Sequence, residues 1–97
     1  MSDLQAAADL LRALAHPTRL AIVLQVREGE RCVHELVERL GAAQPLVSQH
    51  LRVLRAAGVL TSRRRGKEVA YALADEHLLH IALDAITHAG EPARARR

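Results

Sequence analysis

Apolar residues in the first part of the chain recur at helical spacing. Leu4, Leu10, Leu11 and Leu14 outline a first helix that Asp3 can cap. His16-Pro17 interrupts it, because the residue before a proline avoids helical dihedrals. Pro17 suits the first turn of a second helix through Leu20, Ile22, Val23, Leu24 and Val26, which stops near Gly29. Glu30 to Cys32 reads as a short extended link. Val33 to Leu40 predicts a third helix with Leu36, Val37 and Leu40 inward, closed by Gly41. After a brief turn Pro45 starts a fourth helix, with Leu46, Val47, Leu51 and Leu54 as its apolar side, and Gly58 ends it. Two short helices joined by a tight glycine-containing turn form the helix-turn-helix pattern.

From Val59 the period changes from helical to alternating. Val59–Arg64 and Glu68–Leu73 read as two strands around Arg65-Gly66-Lys67, with Val69, Tyr71 and Leu73 as one inward face. A final helix is expected from about Asp75 to Ala89, followed by Gly90 and a loose tail over 91–97. The fold class predicted is mainly α with a β-hairpin wing: a winged helix-turn-helix, as one domain over 1–97. A chain this small gains much from a second subunit.

Composition narrows the picture. Among 97 residues there is no Phe or Trp, and Tyr71 is the sole aromatic, so the core must be Leu, Val, Ile and Ala. The formal charge of +3 favours a polyanionic partner, although Arg94, Arg96 and Arg97 of the tail contribute to it. Cys32 is the single cysteine, so an intrachain disulfide is excluded, which suits a reducing cytoplasm. No apolar run reaches the length of a membrane span, and no basic-then-apolar leader opens the chain, so the expected location is cytoplasmic with no membrane partner.

The helix-turn-helix and hairpin carry the chemistry of duplex DNA binding. Gln44, Ser48, Gln49 and Arg52 lie on the first turns of the recognition helix (about 45–57) and can bond base edges or phosphates. Arg63, Arg64, Arg65 and Lys67 fall within five residues of the wing (about 59–73) and can track phosphates. His50 either touches phosphate or packs against the preceding turn. A solvated basic turn is the plain alternative for the wing, and the adjoining helix-turn-helix argues against it.

Leu14-Ala15-His16-Pro17-Thr18-Arg19-Leu20, Ser48-Gln49-His50-Leu51-Arg52-Val53-Leu54 and the Gly58-to-Tyr71 wing resemble the ArsR/SmtB family of bacterial metal-responsive repressors. The resemblance runs from about Leu11 to Glu91. It implies a homodimer built from the first and last helices, an inverted-repeat operator, and release when an inducer binds.

The last helix adds a ligand face. Of the six histidines, His77, His80 and His88 lie there with Asp75, Asp84 and Glu91. At about 100° per residue, His77, His80, Asp84, His88 and Glu91 fall within roughly 80° of one another. Imidazole and carboxylate suit Zn(II), with Co(II) and Ni(II) as relatives. His77 and His88 are eleven residues apart, about 16 Å along a helix, and zinc bonds are near 2 Å, so one ion cannot join them within a chain. Either His80, Asp84 and His88 serve local sites, or a second chain completes His77. Two such helices paired antiparallel would bring Asp75 and His77 of one subunit to His88 and Glu91 of its mate. The zinc-sensing branch of the family carries Asp-x-His, ten residues, then His-x-x-Glu or His-x-x-His on its last helix. Asp75, His77, His88 and Glu91 match that pattern at all four positions.

The family's other metal site, at the start of the third helix, is incomplete. Cys32-Val33-His34 replaces its usual Cys-Val-Cys, and residues 1–15 hold no Cys or His. The expected function is a repressor whose apo homodimer binds its operator and whose zinc-bound form releases it, serving zinc efflux or storage genes. An enzyme is disfavoured, because four protein ligands leave zinc no open position for water. A winged-helix module without metal sensing is the remaining alternative.

Overall fold

Capping chemistry sets most helix starts. The computed structural model describes residues 2–92. Helix α1 (Asp3–Leu14) is capped by Ser2, whose hydroxyl accepts from the Gln5 N–H at 3.2 Å. The cap is therefore one residue earlier than Asp3, which lies in the first turn and favours the helix dipole there. Helix α2 (Pro17–Val26) is capped by His16, whose Nδ1 accepts from the Thr18 N–H at 3.0 Å. Helices α3 (Val33–Leu40) and α4 (Gln44–Ala56) form the helix-turn-helix. Gly41 makes the turn in the left-handed region, φ 64°, where a side chain is costly.

The hairpin comprises β2 (Leu60–Arg65) and β3 (Glu68–Leu73), with Arg65 opposite Glu68 across a two-residue turn. The expected extended link is a true strand: β1 (Arg31–Cys32) pairs antiparallel with β3, giving the sheet order β1-β3-β2. β3 is thus central, paired along both of its edges. Ala70, flanked by Cys32 on one side and Arg63 on the other, is its most buried residue, while Val69, Tyr71 and Leu73, expected as the inward face, are only half-buried. Helix α5 (Glu76–Ala89) follows, capped by Asp75, whose Oδ1 accepts from the Leu78 N–H at 3.3 Å.

Ile22, Val23, Leu36, Val47, Leu51 and Leu54 make the fully buried centre, with Leu78 and Ala82 of α5 joining it. Outside this core α1 and α5 keep apolar surface. Leu4 is 82% exposed and Leu11 53%, and Ile86 of α5 is also exposed. A wholly apolar cleft of about 200 Å³ between the two helices is lined by Leu11, Leu14, Leu20, Ile81 and Ala85. The tail expected beyond Gly90 falls largely on residues 93–97, outside the described residues.

Candidate DNA interface and metal ligands

The turn at Gly41 leads from α3 into α4. Its buried stripe is Val47, His50, Leu51 and Leu54, the i, i+3, i+4, i+7 face of a surface helix. Gln49 and Arg52 stand away from the stripe and are exposed, Gln44 is exposed at the helix start, and Ser48 is half-buried. Two expectations need correction here. Leu46, placed on the apolar side, is 44% exposed, because its position lies off the stripe of 47, 50, 51 and 54. His50, for which phosphate contact and packing were both open, is 6% exposed and on the stripe, so phosphate contact gives way to packing. Its Nδ1 lies 3.3 Å from Nη1 of Arg19, and its ring centroid lies 4.4 Å from that of His16. Burial, with His16 and Arg19 beside it, lowers its pKa and keeps it neutral.

Strand alternation divides the wing arginines. Arg63 is opposite Ala70, and Cys32 is opposite Ala70 on the other side, so these side chains share a face. On that face Glu30 holds Arg63 with both oxygens, one of them 2.9 Å from Nε. Arg65 donates to Cys32 Sγ at 3.0 Å and to Glu35 at 3.2 Å. The same Glu35 accepts from the Cys32 N–H at 2.7 Å, which with Arg65 holds its pKa low. Burial foremost pushes the Cys32 thiol pKa up. Arg64 points to the other face, and Lys67 sits at the exposed tip. Neither has a carboxylate partner among the described residues, and nor do Arg52 and Arg55.

Between α4 and the wing lies an open cleft of about 640 Å³ lined by Ser48, Arg52, Arg55, Thr61, Ser62 and Tyr71. Two unpaired guanidiniums one helical turn apart, with hydroxyls opposite, suit a phosphodiester. The sequence reading missed Arg55. Its signal was available, since Arg52 and Arg55 are three apart and so neighbours on the helix surface.

The metal-ligating residues form two separate pairs. At the start of α5, His77 Nδ1 lies 3.4 Å from Asp75 Oδ1. At its end, His88 Nδ1 lies 3.2 Å from Glu91 Oε1. All four side chains are exposed, from 45% at Glu91 to 91% at His77. Tetrahedral zinc with bonds near 2 Å separates its ligands by about 3.3 Å, so each pair already has the spacing of one tetrahedral edge. Two nitrogen/oxygen pairs fit the donor chemistry, but neither is a closed site. Among the described residues no three His, Cys, Asp or Glu side chains gather in one place, His80, Asp84 and His88 included. His34 pairs with Glu68 at 2.8 Å, at the surface.

Among the described residues no helix is long and apolar enough to cross a membrane. Residues 16–62 match the model of the bacterial regulatory protein arsR family. The HTH-type transcriptional repressor SmtB of Mycobacterium tuberculosis H37Rv is 67% identical over 90 residues, covering 93% of this chain and 67% of that protein. The solution structure of Mb0332 from Mycobacterium bovis, described as a homodimeric winged helix-turn-helix DNA-binding domain, superposes with a TM-score of 0.82 at 28% identity, over 93% of this chain and 83% of that one. The repressor BigR from Xylella fastidiosa superposes with a TM-score of 0.79 at 35% identity, over 92% and 90%. The chain belongs to the arsR family of bacterial regulatory proteins and is a winged-helix transcriptional regulator, not an enzyme.

Proposed function

We propose that a homodimer of this chain represses transcription in the cytoplasm by holding an inverted-repeat operator, and that Zn(II) bound between the two α5 helices releases it. The observation that carries the reading is the pair of two-ligand sets at opposite ends of α5. An antiparallel mate would place Asp75 and His77 of one subunit against His88 and Glu91 of the other. The exposed Leu4 and Leu11 of α1 and Ile86 of α5, with the wholly apolar cleft that Leu11 shares with Ile81 and Ala85, support that pairing. It is also in keeping with the homodimeric neighbour.

On DNA, the start of each α4 would enter a major groove, with Gln44 and Gln49 reaching base edges and Leu46 suited to a thymine methyl. Ser48, Arg52, Arg55, Arg64 and Lys67 would hold phosphates directly. Arg63 and Arg65 would join them only on exchanging Glu30 and Glu35 for phosphate oxygens. Bound zinc would supply a closed four-coordinate link between subunits and fix their relative angle. Two α4 helices must sit about 34–36 Å apart to meet successive grooves, so a fixed angle that misses this spacing weakens binding. A coupling of about 1–3 kcal/mol gives a change of roughly 5–150-fold.

Co(II) and Ni(II) accept the same donors, and metal analysis of the purified protein decides among them. The direct test titrates zinc against the complex of the protein with the DNA upstream of its own gene. Wild type should release the DNA, and His77→Ala should need far more zinc. Release of both at equal zinc overturns the bridging site, and no complex at any salt concentration overturns repression itself.

A further inference from the structure

We infer that Arg19 is a positioning residue for DNA binding, which fastens the recognition helix α4 to the end of α1 through His50. Its guanidinium touches three groups on two other elements. Nε donates to the Ala13 carbonyl, Nη2 to the Arg12 carbonyl at 3.4 Å, and Nη1 faces His50 Nδ1 at 3.3 Å. The two carbonyls belong to the last turn of α1, where a cation is favoured, and Arg12's also accepts from the Ala15 N–H at 3.2 Å. Arginine can only donate, so His50 Nδ1 accepts and the ring proton sits on Nε2.

That Nε2 is buried with no partner among the described residues. A histidine kept in the core with one ring nitrogen unsatisfied is a poor packing choice, and the nitrogen that is satisfied is the one Arg19 reaches. His16 closes the other side. Its own Nδ1 is committed to the Thr18 N–H, so it holds the His50 ring by contact. His16 and Arg19 are the titratable groups acting on His50, and both disfavour its protonation.

The placement gives the contact its purpose. His50 adjoins Gln49, on the face of α4 proposed to read bases, and α1 carries Leu4 and Leu11, on the face proposed to meet the mate. One rigid planar fork thus sets the angle between the dimer-forming helix and the reading helix. This inference rests on the DNA-binding reading above.

The test uses Arg19→Lys, His50→Leu, the corresponding double variant, and His50→Asn, which keeps an acceptor where Nδ1 lies. Arg19→Lys and His50→Leu should each lose about tenfold in affinity for the upstream duplex, the scale of one hydrogen bond to a charged donor. Binding to random-sequence duplex at low salt and zinc stoichiometry should stay unchanged. His50→Asn should stay within about threefold of wild type, and the double variant should lose no more than either single. Wild-type affinity in both singles, or additive losses in the double, overturns the inference. A second readout needs no DNA. Nitrogen-15 spectra should show His50 protonated at Nε2 and bare at Nδ1, and amides of α4 should exchange faster in Arg19→Lys. A ring protonated at Nδ1, or unchanged exchange, overturns the latch even if wild type ignores its upstream DNA, a result that would count against the proposed function instead.

Discussion

Asp75 has two roles that one substitution can separate. Its Oδ1 caps α5 through the Leu78 N–H, and the same oxygen faces His77 as half of a proposed zinc ligand pair. Asp75→Ala removes both. Losing an N-cap side chain costs about 1 kcal/mol, which in a domain of this size lowers Tm by about 4–8 °C. Asp75→Ser keeps a good cap and removes the carboxylate, so the metal-free protein should melt close to wild type. The 3.4 Å contact to His77 adds little to this balance, because both side chains are exposed and solvent screens them. Zinc stabilises in proportion to its binding: at a hundred times Kd the gain is about 2.7 kcal/mol. Wild type should therefore show a clear zinc-dependent rise in Tm, and both variants should lose most of it. The assay is thermal unfolding at one protein concentration, with and without zinc. A full zinc-dependent rise in Asp75→Ser would refute the ligand role. An unchanged metal-free Tm in Asp75→Ala would refute the cap.

Three further outcomes follow from the same geometry. Arg55→Ala and Arg64→Ala should each flatten the dependence of log affinity on log salt by about one unit for every phosphate left without its cation, read by fluorescence anisotropy across a salt series, whereas an unchanged slope removes that residue from the interface. Leu11→Glu should shift sedimentation from dimer to monomer while circular dichroism keeps its helical content, and a dimer that survives places the interface elsewhere. His50 is held neutral with a lowered pKa, so the unfolded chain takes up its proton first: its contribution is complete above the ordinary histidine value and is lost as pH falls through the lower folded value. His50→Leu should accordingly flatten the acid side of the stability–pH curve, and an unaltered acid limb would show that His50 is not buried neutral.

Periodicity carried the helices, because the stripes of α3 and α4 are set by burial against one core. The misreadings share a cause. A two-residue strand has no period, so β1 could not be seen, and without it β3 has one paired edge rather than two. For His50 the sequence admits phosphate contact and packing alike, and the single stripe of positions 47, 50, 51 and 54 decides for packing. Leu46 was counted inward by its apolar character when its angle on the helix points away. In the wing, alternation alone separates Arg64 from Arg63 and Arg65, yet that two of them meet Glu30 and Glu35 depends on pairings 33 and 30 residues apart in the chain. The metal ligands were legible as residues. Their division into two pairs followed from helix rise, and the mate that would join them lies beyond a single chain.

The central claim is that zinc sits between subunits. Mixed dimers of His77→Ala and His88→Ala chains test it most directly, by zinc stoichiometry together with operator release. Each pure variant should lose both high-affinity sites. The mixed dimer should regain one, because the His88→Ala chain supplies an intact Asp75 and His77 and the His77→Ala chain an intact His88 and Glu91. One zinc per mixed dimer with partial release is the predicted result. No regained site, or two zinc ions retained by either pure variant, would contradict the account.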